Sequence, residues 1–227
     1  MTDQPVPPAV RAQLLATEHW SLLATRSQTW SEVMSRIMAQ FTFTSAVLVV
    51  LALVVQNDGP FRPLALGLGG AILLTGTLTA MRVHYASHED AQLVRGMNRL
   101  RHAYIDIDPG VTPYLVAGYT DDVAGITQTY TMGPARNATQ LLASASFFIT
   151  GVTSVVAGGW VGILVSPAGT AFAVVVGVLA GLAYIAVFLF AGYRLYTRYE
   201  QTPGLVLFPT PTEDVSPSVP PAPPSPS

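Results

Sequence analysis

Three stretches of this chain carry no charge at all: Ile37 to Asn57, Pro63 to Met81, and Asn137 to Tyr193. A water-soluble domain scatters Asp, Glu and Arg through any stretch of such length, because about a quarter of its residues are charged. Here the share is 11%, and half of the 227 residues are hydrophobic. A bilayer core about 30 Å thick takes roughly 20 apolar residues per helix, so the first two stretches supply one span each. The third is long enough for two spans and a turn, with the break at Ser166-Pro167-Ala168-Gly169-Thr170, where Pro and Gly cluster. The fold class that follows is all-α: a polytopic membrane protein with four transmembrane helices in two hairpins, flanked by amphipathic helices outside the bilayer.

Orientation follows from the arginines, because basic residues in short loops stay on the cytoplasmic side. Arg11, Arg26 and Arg36 precede the first span; Arg82, Arg95, Arg99, Arg101 and Arg136 lie between the second and third; Arg194 and Arg198 follow the fourth. Only Arg62 falls on the other side. Both termini and the central segment are therefore expected in the cytoplasm and the spans in the inner (plasma) membrane, with short external turns at 56–62 and 165–170. The start of the chain lacks the basic region, short apolar core and cleavage site of a signal peptide, so the first span is expected to be retained.

These boundaries divide the chain into an N-terminal segment over 1–36 and a first transmembrane hairpin over 37–82. A cytoplasmic helical segment over 83–136 and a second hairpin over 137–193 follow, and the tail covers 194–227. Pro8 to Arg36 has no interior Gly or Pro and spaces Trp20, Leu23, Trp30, Val33, Ile37 and Phe41 by three, four or seven, the pattern of an amphipathic helix running on toward the first span. Leu93, Met97, Leu100 and Tyr104 repeat it after the second span, with Glu89, Asp90, Arg95, Arg99 and Arg101 on the other faces, as far as Asp108-Pro109-Gly110. Thr112-Pro113 and Thr120-Asp121 read as starts of short helices capped by Thr. From Gln201 the tail holds nine prolines in 27 residues and is expected to be disordered, with Leu205 to Phe208 its one sticky spot.

Lipid tails give helices no hydrophobic reason to associate, so small residues must let backbones approach. Gly169, Ala173, Gly177 and Gly181 repeat every four residues in the fourth span, and Ser154, Gly158 and Gly162 answer in the third. The two are expected to pack against each other; a homo-oligomer seam on the fourth span is the competing use. The spans contain no Asp, Glu, Arg or His, which proton relays and many ion-coupled carriers need. They do contain hydroxyls: Thr42, Thr44 and Ser45; Thr75, Thr77 and Thr79; Ser144, Ser146, Thr150, Thr153 and Ser154. Each can bond the carbonyl four residues back in its own helix, or the set could line a polar path.

The metal candidates are weak. His84 and His88 sit one helical turn apart beside Glu89, without a third ligand in sequence. Asp106-x-Asp108 and Asp121-Asp122 place four carboxylates in one segment near arginines, as magnesium-dependent lipid-headgroup enzymes do, although Asp108 also suits a turn and Asp121 a helix cap. Asn137-Ala138-Thr139 matches a glycosylation acceptor on the side assigned to the cytoplasm and is discounted. The chain has no cysteine, so disulfides and thiol chemistry are excluded, and a net charge of −2 gives no reason to expect nucleic acid. There is no glycine-rich phosphate loop, no Gly-x-Ser-x-Gly, no kinase signature and no haem motif.

All the basic residues are arginine, which fits the codon bias of a GC-rich bacterial genome. The stretch Arg26-Ser-Gln-Thr-Trp30-Ser-Glu32-Val-Met-Ser-Arg36, with Asn98-Arg-Leu-Arg-His-Ala-Tyr104, resembles small uncharacterised four-span membrane proteins of GC-rich bacteria. That resemblance covers most of the chain and implies the four-span fold but no activity, cofactor or site residue. The expected function is that of a scaffold or interaction protein working through its cytoplasmic helices on a protein partner or a second copy. An oligomeric channel or small-solute transporter is the alternative, and a membrane-bound lipid-headgroup enzyme the third and weakest.

Overall fold

The computed structural model describes residues 6–132, 144–200 and 204–211. Most of them are helical, with no strand among them. Helix α1 runs unbroken over Pro8–Gln56, 49 residues, and α2 over Phe61–Ile107, 47 residues. The N-terminal amphipathic helix thus runs on into the first apolar stretch, as its pattern led one to expect, and the second apolar stretch likewise continues past residue 82 as one helix. The local reason is plain: α1 has no Gly or Pro after Pro8, and α2 has no Pro after Pro63. At 1.5 Å per residue they are about 70 Å long, more than twice the thickness of a bilayer core. Pro8 opens α1 in the first-turn position that lacks a bonding duty. Asn57 and Asp58, the latter at φ 51°, turn the chain into α2.

A short 3-10 turn at Pro109–Tyr114 follows, started by Asp108, whose carboxylate accepts the Gly110 amide. Helix α3 covers Val123–Thr131 with Asp122 as its cap. Both caps are aspartates, where Thr112 and Thr120 were expected to serve. Helix α4 covers Ala145–Val165, capped by Ser144, and after a 3-10 turn at Ser166–Ala168 helix α5 covers Thr170–Glu200. Four of these helices, α1, α2, α4 and α5, are long and apolar enough to cross a membrane. Leu48, Val50, Val155, Val174, Leu182 and Phe190 on them stay exposed, a surface that lipid would cover.

The pairing order is read from contacts. Arg26 meets Asp90, Glu32 meets Arg82 and Gln40 meets the Ile72 carbonyl, so α1 and α2 lie antiparallel. Val33 and Ile37 of α1 pack with Ala80, Val83 and Ala86 of α2 and Ile149 of α4 in the main apolar cluster. Tyr184 of α5 donates to Thr77, and Trp160 of α4 donates to the Leu66 carbonyl while covering Gly69 and Gly70. Helices α4 and α5 touch backbone to backbone: a Cβ on Gly158 would come within 2.7 Å of the Gly177 carbonyl oxygen, one on Gly181 within 3.0 Å of that of Ser154, and one on Gly162 within 3.2 Å of that of Ala173. Gly169 stands outside the seam, at φ +121° in the turn with open space around it.

Such a seam has no room for a side chain at Gly158 or Gly177. Gly177→Leu is expected to destabilise the protein by about 1–3 kcal/mol in a detergent melt. Gly159→Leu, on the same pair of helices but with nothing within 4 Å of an added Cβ, should leave the melt nearly unchanged.

Candidate functional site

Beyond the apolar stretches, α1 and α2 continue as a pair in which polar bonds join apolar contacts such as Val33 with Ala86 and Leu22 over Gly96. Asp90, 2% exposed, accepts bonds from Arg26 Nε at 2.7 Å, Trp30 Nε1 at 2.9 Å and Tyr130 Oη at 2.7 Å. One carboxylate thereby ties α1, α2 and α3 together, and a buried charge is tolerable only when it is satisfied in this way. Two turns further along α2, Asn98 is fully buried. Its amide nitrogen donates to the Thr120 carbonyl at 2.8 Å, and its oxygen accepts from Thr129 and Arg101. These bonds fix the 118–122 turn against α2. Gly118 and Gly125 make the turn sterically feasible, because a Cβ on Gly118 would strike the Gly125 carbonyl and one on Gly125 the Thr120 carbonyl.

The turn presents Asp121 and Asp122 to the C-terminal segment. Arg99 Nε donates to Asp121 Oδ2 at 2.7 Å and Arg95 Nε to the Asp121 carbonyl at 3.0 Å, which orient a carboxylate with no exposed surface. That carboxylate accepts the amides of Leu207 and Phe208, at 2.9 and 2.7 Å, while the Asp121 amide donates to the Phe208 carbonyl at 3.1 Å. Asp122 accepts the Thr210 amide on one oxygen at 2.8 Å, and on the other the Thr210 hydroxyl and the helix-capping Gly125 amide. Arg99 also donates to the Leu205 carbonyl, and the Phe208 ring stacks on His102 with centroids 4.2 Å apart.

The tail was expected to be disordered from about residue 201. Over 204–211 it instead lies docked in this polar cradle, its main chain satisfied by side chains of residues more than 80 positions away. The expected sticky spot, Leu205 to Phe208, is the part engaged. Residues 201–203 and 212–227, and likewise Arg136 and Asn137-Ala138-Thr139, lie outside the described residues.

The other singled-out residues have local duties. Glu89 is bound to Arg82, which also holds Glu32, so it does not join the histidines. His84 and His88 meet edge to face with ring centroids 5.2 Å apart, and His84 lies over Gly192 of α5 beside a cleft of about 290 Å³. Asp106 is exposed and Asp108 caps Gly110. Among the described residues no three His, Asp or Glu converge as metal ligands would. The span hydroxyls Thr42, Thr44, Thr75, Thr77, Thr79 and Thr153 each donate to the carbonyl four residues back, and Ser154 to the one three back.

Burial presses both clasp carboxyls upward, and the bonds overcome it. The Leu207 amide, the Arg99 guanidinium and the Phe208 amide hold Asp121 below the ordinary carboxylate value. The amides of Gly125 and Thr210, with the Thr210 and Thr120 hydroxyls, hold Asp122 at about 2. Both groups are held below their value in an unfolded chain, so the stabilisation is present above the ordinary carboxylate range and is lost as the pH falls through it, for Asp122 toward about 2. Amide exchange at Leu207 and Phe208, corrected for intrinsic rate, is therefore expected to be flat from pH 7 to 5 and to rise in strong acid. Asp121→Asn should raise it at neutral pH, at a cost of about 1–3 kcal/mol. No family model, curated protein or solved structure matches the chain, so what the protein does rests on this geometry.

Proposed function

We propose that the chain is a plasma-membrane interaction protein, with four spans in two hairpins and both termini in the cytoplasm, whose polar end organises a protein partner or a second copy. One observation carries this reading. Helices α1 and α2 exceed a bilayer core by about 40 Å, and the excess is locked by the buried Asp90 and Asn98 into a platform carrying the C-terminal segment. Rigidity of that kind suits presenting a surface. The arginine distribution supports the orientation, and the one exception has a local reason: Arg62 donates to the Ile163 and Leu164 carbonyls in the last turn of α4, the end of a helix that favours a cation.

The absence of cysteine makes topology directly measurable. In intact cells a membrane-impermeant maleimide should label Asn57→Cys, and Thr17→Cys only after permeabilisation; the reverse pattern would overturn the orientation. Full-length protein captured from membranes should bring down a bound partner or a differently tagged copy. A chain that stays alone and monomeric, or that conducts ions or solutes in liposomes, would count against the interaction reading.

A further inference from the structure

The cradle around Asp121 and Asp122 holds a bent peptide segment, with the consecutive amides of Leu207 and Phe208 both turned to Asp121, and its occupant is known because it is part of the same chain. Its contacts read the main chain: the amides at 207, 208 and 210 and the carbonyls at 205 and 208 are bonded. Only Phe208 adds a ring contact, on His102, while Val206 and Leu207 remain exposed. With the segment in place Asp121 has no exposed surface. Among the described residues its carboxylate is bonded to Arg99 and to the amides of 207 and 208, donors that water would have to replace if the segment left.

We infer that this site is filled in trans as well as in cis, the 205–210 segment of one copy occupying the Asp121–Asp122 cradle of a neighbouring copy in the same membrane. The inference rests on the reading of the chain as an interaction protein and names a second copy as its partner. Three observations favour a second copy. The segment that fits is present in every molecule. The bonds made in a swapped pair are the same as those made within one chain, so linker geometry and local concentration decide the balance. Gly204, at φ +74° with nothing within 4 Å of an added Cβ, starts the segment with backbone freedom that other residues lack, as a hinge requires. Confinement to a membrane supplies the concentration. The latch is held largely by hydrogen bonds to the charged groups of Asp121, Asp122 and Arg99, and a swapped pair regains every one of them, so exchange loses no bond.

The test uses the full-length, naturally cysteine-free chain in membranes. The Thr120 and Thr210 hydroxyl oxygens lie 3.0 Å apart, close enough for cysteines at these positions to form a disulfide under a mild oxidant. Thr120→Cys and Thr210→Cys are placed on separate, differently tagged copies expressed together. A covalent dimer is expected, at least about tenfold above that from Thr210→Cys paired with the exposed Thr17→Cys as a collision control. Adding Asp121→Asn to the Thr120→Cys copy should remove it. Both substitutions in one chain should give a crosslinked monomer, which confirms that the latch is intact. A crosslinked monomer without the dimer from split copies would overturn exchange while leaving the latch in place. Failure of both crosslinks would overturn latch and exchange together. Partner capture by the unmodified chain is scored separately, so the broader interaction reading stands or falls on its own result.

Discussion

The carboxylate of Asp90 is the contact on which the polar end of the molecule depends. Two helices of about 70 Å cannot stay together along their whole length through apolar packing alone, because their residues become increasingly polar beyond the apolar stretches. Asp90 solves this by accepting from Arg26 and Trp30 on one side and Tyr130 on the other. Being 2% exposed, it has little access to water, so the three donors are obligatory. Fixing Tyr130 places α3, which brings the 118–122 turn against Asn98 and so aims Asp121 and Asp122 at the tail.

The two ends of the molecule are held by different physics. Within the apolar helices, α4 and α5 meet through Gly158, Gly162, Ala173, Gly177 and Gly181, where close backbone approach supplies the attraction. Toward the other end, charge-assisted hydrogen bonds replace it: Arg26 to Asp90, Arg82 to Glu32 and Glu89, Arg99 to Asp121. Arginine is suited to this work because its fork of donors can serve two acceptors at once. Arg82 does so between two helices and Arg99 between a turn and the tail.

Much of the fold was legible because its signals are local. Uninterrupted apolar runs, a Pro-Gly break after Val165 and the spacing of Gly177 and Gly181 are all read within a few residues of one another. The acidic residues of the clasp were legible as a cluster but their duties were not. Asp121 was read as a helix cap, whereas Asp122 caps α3 and Asp121 receives the tail. A one-residue shift of that kind depends on how the turn is held, and it is held by Asn98 and the glycines at 118 and 125, whose importance appears only when Thr120 and α2 are brought beside them.

What the sequence determined by itself is the set of four helices long and apolar enough to cross a membrane, since lipid leaves the backbone no partner except its own and 20 uncharged residues have few alternatives. The docking of Leu205 to Thr210 was decided only by the tertiary structure. The tail around it is proline-rich and its partners lie more than 80 residues earlier, so no periodicity links them. The contact depends on a carboxylate that Arg99 of α2 and the 118–122 turn hold in place to accept the tail's Leu207 and Phe208 amides, an arrangement that only the folded chain assembles.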